Sequence, residues 1–336
     1  MPIKRVLQAI EDIKNGKMIV MVDDEDRENE GDVVCAAAFC DTDKVNFMIT
    51  HAKGVVCTPL TKKLADKFNL SPMVGANTSA HETAFTISID GINTKTGVSA
   101  SERNETIKML VDPNTKSEDF VRPGHIFPLI AKEGGVLERT GHTEGSVDLC
   151  KMAGLTPVSV ICEIVKENGE MARRADLEVF CEKFNLNMVS VSDIIEYRLK
   201  NEKLISVNDA GTTQIAGINA SKYEITDHLG NKHLAFAFGQ ICSNANVKFH
   251  KIGSDLDLLT SQKYSDFMKY LEILRDDGGI LIFLSGEDLN SELFKNYGIG
   301  AQILLHFGIK EITLLSSNKK EFVALDGFGL KIAGYK

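Results

Sequence analysis

The segment Asp23–Asp32, DDEDRENEGD, sets seven carboxylates in ten residues between two apolar runs, Met18–Val22 and Val33–Ala38. Apolar runs flanking a short connection that ends in a Gly-Asp corner read as two buried strands and their link. Carboxylates so crowded raise one another's pKa and oppose folding unless something compensates them. Two readings are open: a solvated hairpin tip, or ligands for a divalent cation such as Mg2+, which takes carboxylate oxygens and keeps several waters. Arg27, inside the run, cannot lose its proton and offers a fork suited to phosphate or carboxylate.

A chain of 336 residues can bury two ordinary cores, and 43% hydrophobic with 25% charged residues is a globular composition. The net charge of −9 gives no broad attraction to nucleic acid or an anionic membrane. A phosphorylated ligand would need local Arg, backbone N–H groups or a cation. The first residues read as a helix with Val6, Leu7, Ile10 and Ile13 in a stripe and Gly16 as its stop, not as a signal peptide. No apolar run approaches the roughly 20 residues that span a bilayer. The expectation is a cytoplasmic protein with no membrane partner. The seven cysteines form no C-x-x-C pair and lie mostly in apolar runs, so reduced, largely buried thiols are expected.

Helix-like and strand-like segments alternate through residues 1–200. Asp41 or Thr42 is placed to cap a helix bearing Val45, Met48, Ile49 and Ala52 and ended by Gly54. A strand is expected at Val55–Cys57, then a helix with Leu64, Ala65 and Phe68, and strands at Phe85–Ile89 and Val158–Val165. Leu177, Phe180, Cys181 and Phe184 mark another helix, and Met188–Val191 a last strand. The mixture predicts an α+β or α/β domain, α+β being the preferred reading, with a mixed sheet and flanking helices. The charged stretch Tyr197–Val207 lacks long periodicity and suggests a boundary near residue 200. Residues 201–336 read as a second, smaller α/β domain, with strands at Leu234–Phe238, Ile280–Leu284 and Ile312–Leu315. Its expected helices carry Phe267, Leu271 and Leu274, stopped by Gly278-Gly279, and the segment YGIGAQILLHFG.

Three places in the first domain are candidates for chemistry. The acidic run is one. The second is Arg139–Glu144, RTGHTE, which enters a helix that Thr143 can cap; the free N–H groups of such a helix start can hold an anion. His142 there is a base, a metal ligand or a satisfied surface histidine. The third is Glu163, which interrupts the apolar VSVICEIV. It is either on a wet sheet face or desolvated with a raised pKa that suits proton transfer. His125, after Arg122-Pro123-Gly124, has a fixed backbone but no role legible from its neighbours, and His51 and His81 stay unassigned. These parts suit deprotonation beside the carbonyl of a phosphorylated small molecule, with a metal stabilising an enediolate.

DDEDRENEGD, GVSASER, RPGHIFPL, RTGHTEGSVDLCKMAG, VICEIV and MARRADLEVF, in order between about residue 5 and 198, resemble the 3,4-dihydroxy-2-butanone 4-phosphate synthases of riboflavin biosynthesis. The resemblance implies D-ribulose 5-phosphate as substrate, and L-3,4-dihydroxy-2-butanone 4-phosphate and formate as products. It also implies a requirement for Mg2+ or Mn2+, and a homodimer with sites near the subunit interface. Carried onto this chain, Glu28 and His142 resemble the metal ligands. Arg27, Asp32, Arg139, Thr140, Gly141 and Thr143 resemble substrate contacts. His125 and Glu163 resemble essential catalytic residues, Glu163 also touching substrate, and Glu30 a catalytic helper. Asn29 stands where the family usually has Asp.

The second domain is similar to GTP cyclohydrolase II, best over Tyr297–Ile332. That family's zinc set is three cysteines in a C-x10-C-x-C pattern, whereas residues 201–336 hold only Cys242. An Arg-x-x-Gly-Arg region is replaced by Leu284–Leu293, LSGEDLNSEL. A zinc that activates water needs about three protein ligands. No zinc and no GTP-opening activity are therefore expected; the alternatives are a bifunctional enzyme that also opens GTP with other ligands, or a scaffolding or nucleotide-binding module.

Overall fold

The computed structural model describes residues 2–25, 27–251, 263–285, 293–316 and 330–336. They form two compact units, Met1–Tyr197 and Arg198–Lys336. The first is built on a seven-stranded mixed sheet. Its strands are β1 (Ile19–Val22), β2 (Gly31–Ala36), β3 (Cys57–Thr61), β4 (Ile89–Gly91), β5 (Phe120–Ala131), β6 (Ser159–Glu163) and β7 (Met188–Ser190), in the order β4-β5-β3-β6-β2-β1-β7. Pairs β1/β7 and β3/β5 are parallel; β1/β2, β2/β6, β3/β6 and β4/β5 are antiparallel.

β1 and β2 are buried at every residue. Such strands need cover on both faces. On one face Val20, Val33 and Cys35 join a core with Met48, Phe68, Ile107 and Leu177, from segments that include α4 (Ala100–Met109) and α6 (Arg174–Phe184). On the other lies α5 (His142–Met152), drawn close enough at Gly145 that a Cβ there would be 2.7 Å from Met21 Sδ. Ser159 on β6 donates to Ser146 on α5 at 2.7 Å, satisfying two buried hydroxyls together.

Several local expectations are corrected. In α1 (Pro2–Lys14) the buried apolar stripe is Val6, Ala9 and Ile13, while Leu7 is 50% exposed. α2 (Thr42–Phe47) is capped by Asp41, but the π turn after it ends at Lys53, held left-handed at φ 73°, and not at Gly54. Gly54 instead gives way to the neighbouring strand, since a Cβ there would stand 2.5 Å from the Glu163 carbonyl. Val55 is 47% exposed, its N–H given to Glu163 Oε2, so β3 begins only at Cys57. Phe85 and Thr86 make isolated bridges, and regular pairing waits for β4; Pro128 opposite them has no N–H to return. α5 is capped by Gly141, so Thr143 is buried in the first turn and does not cap it. Helix α7 (Val191–Asn201), which buries Ile194 and Leu199, enters the expected aperiodic stretch and ends within it.

The second unit carries its own seven-stranded sheet: β8 (Ile205–Ile215), β9 (Ile218–Asp227), β10 (Lys232–Phe238), β11 (Asn244–Lys251), β12 (Gly279–Leu284), β13 (Glu311–Leu314) and β14 (Lys331–Tyr335). The order is β14-β13-β11-β12-β10-β9-β8. β8–β10 are antiparallel, and the other four run parallel. Leu271 and Leu274 of α8 (Lys263–Asp277) pack on Phe236, Phe238 and Leu281. The second helix, α9, spans Leu293–His306. Positions 286–292 of the substituted Leu284–Leu293 segment, and 317–329 of the Tyr297–Ile332 match, lie outside the described residues. Among the described residues no helix is long and apolar enough to cross a membrane.

β4 and β5 meet so closely at Gly124 that a Cβ would be 2.0 Å from the Ile89 carbonyl carbon and 2.3 Å from Asp90 N. Gly124→Ala is expected to cost about 1–3 kcal/mol of stability, read as a lower urea midpoint. An unchanged midpoint would contradict this backbone contact.

Candidate active site

The acidic run is not a spray of free carboxylates. Asp23, at the end of β1, turns inward: its Oδ2 accepts from Arg27 Nη1 at 2.6 Å and Glu28 N at 3.2 Å, and its Oδ1 from Glu30 N at 2.9 Å. The β1–β2 connection is thus wrapped on its own first carboxylate, with Asn29 left-handed at φ 54°. The wrapping aims Glu28 at the start of α5. Glu28 Oε2 lies 2.8 Å from Arg27 Nη1 and 3.8 Å from His142 Nδ1.

The sheet supplies the floor. Asp32 on β2 is the register partner of Glu163 on β6, and Cys57 on β3 that of Ile161. Since directly opposed residues share a face, all four line one cavity of about 130 Å3. Its walls are Arg27, Glu28, Glu30, Arg139, His142 and Thr143, with Thr83, Phe85 and Leu129. Glu163 is anchored by Val55 N at its Oε2, 2.8 Å away.

The charges distort one another. The His142 imidazole, 3.8 Å away, leads in lowering Glu28 to about 2, against burial and with help from Arg27. Burial lowers His142, but the carboxylates of Asp32, Glu28 and Asp23 outweigh it and raise the imidazole to about 9. Burial lifts Asp32 to about 7, with His142 opposing and Glu163 adding to the rise. Glu30 is raised by burial and by Glu28. Burial also drives the Cys57 thiol well above its usual range, so it lines the cavity as a neutral thiol.

Two guanidinium groups meet at the α5 N-terminus. A Cβ on Gly141 would be 2.5 Å from Arg139 Nη1 and 3.1 Å from Arg27 Nη2, so a larger residue there would push the guanidinium groups aside. Arg139 is also a staple. Its Nη1 donates to buried Glu144 at 2.6 Å; Nε and Nη2 donate to the His81 carbonyl, and Nη2 to Thr83 Oγ1. Of its five N–H groups, one on Nη1 remains for a ligand. Two guanidiniums at a helix start suit a phosphate.

Of the residues singled out in the sequence, Arg27, Glu28, Glu30, Asp32, Arg139, His142, Thr143 and Glu163 converge on this cavity, and Gly141 forms its anion corner. Thr140 and His125 do not line it. His125, on β5, is held by Asp90: Nδ1 is 2.8 Å from Oδ2, and the backbone N–H donates to Oδ1 at 2.9 Å. Asp90 is buried while the His125 side chain is 44% exposed, so the ring is fixed at Nδ1 and presents Nε2 outward. Sequence reasoning missed Cys57, Thr83 and Asp90, and gave Asp23 and Glu144 no role of their own within the segments it singled out. Asp90 precedes His125 by 35 positions and gives no local cue. Asp23 differs in no legible way from its charged neighbours.

Three groups offer ligand atoms within 4.8 Å of one another: Asp23, Glu28 and His142. Both Asp23 oxygens are already taken by the loop, which leaves Glu28 and His142. Among the described residues, His142 Nε2 and Asp32 Oδ1 are buried without a hydrogen-bond partner. Donors each about 2.1 Å from an ion lie up to about 4.2 Å apart, so the 3.8 Å between Glu28 Oε2 and His142 Nδ1 fits one cation shared through Nδ1. An oxygen–nitrogen pair accommodates Mg2+ and suits Mn2+ better.

The fold and this cavity, with carboxylates and a histidine under an anion corner, define a metal-assisted enzyme of phosphorylated small molecules. The family model for 3,4-dihydroxy-2-butanone 4-phosphate synthase matches residues 7–197, and that for GTP cyclohydrolase II residues 287–336. A Campylobacter jejuni 3,4-dihydroxy-2-butanone 4-phosphate synthase is 57% identical over 97% of this chain and 97% of its own. Among solved structures, RibBX, a two-domain 3,4-dihydroxy-2-butanone 4-phosphate synthase from A. baumannii, is 39% identical with TM-score 0.86, covering 99% of each chain. A 3,4-dihydroxy-2-butanone 4-phosphate synthase in complex with two magnesium ions is 37% identical with TM-score 0.57, covering 59% of this chain and 97% of that one. The chain belongs to the 3,4-dihydroxy-2-butanone 4-phosphate synthase family.

Because burial among carboxylates holds His142 at about 9, a cation taken up by this imidazole would have to displace its proton. Raising the pH removes the competitor, so Mn2+ affinity is expected to climb by up to about tenfold per unit between pH 7 and 9. Calorimetry in buffers of different ionisation enthalpy should find close to one proton released at pH 7. No release at any pH in that range would contradict the assignment.

Proposed function

We propose that this chain converts D-ribulose 5-phosphate into L-3,4-dihydroxy-2-butanone 4-phosphate and formate, a lyase reaction that requires Mg2+ or Mn2+. The observation that carries this reading is the convergence of Glu28, Asp32, Glu163 and His142 on one cavity beneath the Arg27–Gly141–Arg139 corner. Arg27, the α5 N–H groups and the remaining N–H of Arg139 hold the phosphate, which sets the sugar's carbon chain over the sheet. Glu28 and His142 hold the cation. When bound, it polarises the oxygens beside the sugar carbonyl and stabilises the charge that develops there.

Asp32 Oδ1, unpaired and on a carboxyl raised to about 7, accepts or returns a proton near neutral pH. Glu163, its neighbour across the ladder, is fixed by Val55 and meets the substrate from the same floor. Glu30 assists from the loop. Thr143 lines the wall beside His142, and Thr140 precedes the corner without lining it. His125 acts from a second copy of the chain. Its exposure, its outward Nε2 and its absence from its own cavity support a homodimer whose sites draw on both subunits.

The boundary is placed near residue 200, and the part beyond it is read as no GTP cyclohydrolase. With Cys242 the one cysteine among residues 201–336, the set for a water-activating zinc is missing.

The purified chain is expected to release formate from ribulose 5-phosphate, to stop with EDTA, and to release none from GTP with added Zn2+. Glu163→Gln is expected to lower kcat by about 10^2–10^4 while substrate binding partly survives. Formate from GTP, or none from the sugar, would contradict the reading.

A further inference from the structure

Arg173 has no part in that chemistry. It stands at the N-cap of α6, where its backbone N–H donates to Asp176 Oδ2 at 3.0 Å, so the helix start does not need its side chain. The guanidinium reaches back to the acidic loop instead. Nη1 donates to the carbonyl oxygens of Glu28 and Asn29, each at 2.6 Å, and lies 3.8 Å from Glu30 Oε1. Two successive carbonyls converge on one nitrogen where Asn29 takes its left-handed turn. Four residues further along α6, Leu177 packs on Gly31, where a Cβ would be 2.5 Å from Leu177 Cδ1. Positions 173 and 177 share a helix face and follow the loop from Glu28 to Gly31.

The loop's other ties are largely internal. Asp23 accepts from Arg27, Glu28 N and Glu30 N, and the Arg27 and Asn29 N–H groups donate to the Asp24 carbonyl. Such bonds keep the loop's shape but move with it. Arg173 connects that shape to a helix packed on the sheet, through charge-assisted bonds stronger than neutral ones.

We propose that Arg173 is a positioning residue that docks the acidic loop on α6, setting Glu28 opposite His142 before any cation or substrate arrives. It touches neither ligand; it removes the ordering cost that binding would otherwise carry. The proposal rests on Glu28 and His142 being the metal ligands.

Arg173→Met and Arg173→Lys are compared with the unaltered chain by amide hydrogen exchange without metal and by titration with Mn2+ alone. In Arg173→Met the Glu28 and Glu30 amides are expected to exchange about tenfold faster, with the thermal midpoint unchanged. Mn2+ affinity falls about tenfold. Arg173→Lys, which keeps a charged donor for the two carbonyls, recovers part of that loss. Unchanged exchange at these amides in Arg173→Met overturns the proposal. So does a loss of Mn2+ affinity matched by a lowered thermal midpoint, which would make the residue merely structural. If the unaltered chain takes up no Mn2+, the metal assignment falls, and the exchange result alone decides for or against Arg173.

Discussion

Asp32 and Glu163 face each other across the β2–β6 ladder, at the end of a sheet otherwise built to be dry. Like charges directly opposed on a sheet destabilise it, and burial makes an ionised Asp32 costlier still. The remainder of the site answers that load. His142 is held protonated among the carboxylates, Arg27 binds two of the loop's acids, and the α5 N-terminus points at the cavity. Even so, Asp32 Oδ1 and His142 Nε2 remain buried without partners. A site so arranged is a preorganised half of a complex, and a cation with a phosphorylated sugar is the half proposed to complete it.

Much of this was legible from the residues. The acidic run, the RTGHTE corner and Glu163 stood out because each violates its surroundings: charge between strands, a histidine and arginine at a helix start, a carboxylate in an apolar strand. Local signals of that kind survive in one dimension. The register that places Asp32 opposite Glu163 does not, because it pairs residues far apart in sequence. Asp90 behind His125 and Arg173 behind Glu28 were illegible for the same reason. Gly54 and Val55 misled because their backbone is bent toward Glu163 and not continued into β3. The stretch Tyr197–Val207 was legible as a break: helix α7 ends within it at Asn201, and the two compact units divide between Tyr197 and Arg198.

In the second unit the parallel strands and α8 keep an α/β core with Leu271, Leu274 and Phe238 inside. The GTP cyclohydrolase II family model matches residues 287–336. A core can persist on apolar pattern alone, whereas a zinc site depends on a few ligands whose loss removes the chemistry outright. This asymmetry explains how a chain can match a two-domain synthase from end to end while one cysteine stands where three would be needed.

We propose that the acidic loop and the α5 N-terminus together hold a divalent cation that grips a pentulose phosphate. A crystal of the chain soaked with Mn2+ and ribulose 5-phosphate tests it most directly. Anomalous density is expected between Glu28 and His142, with the phosphate at the Arg27–Gly141–Arg139 corner. Manganese held elsewhere, or a phosphate away from that corner, would contradict it.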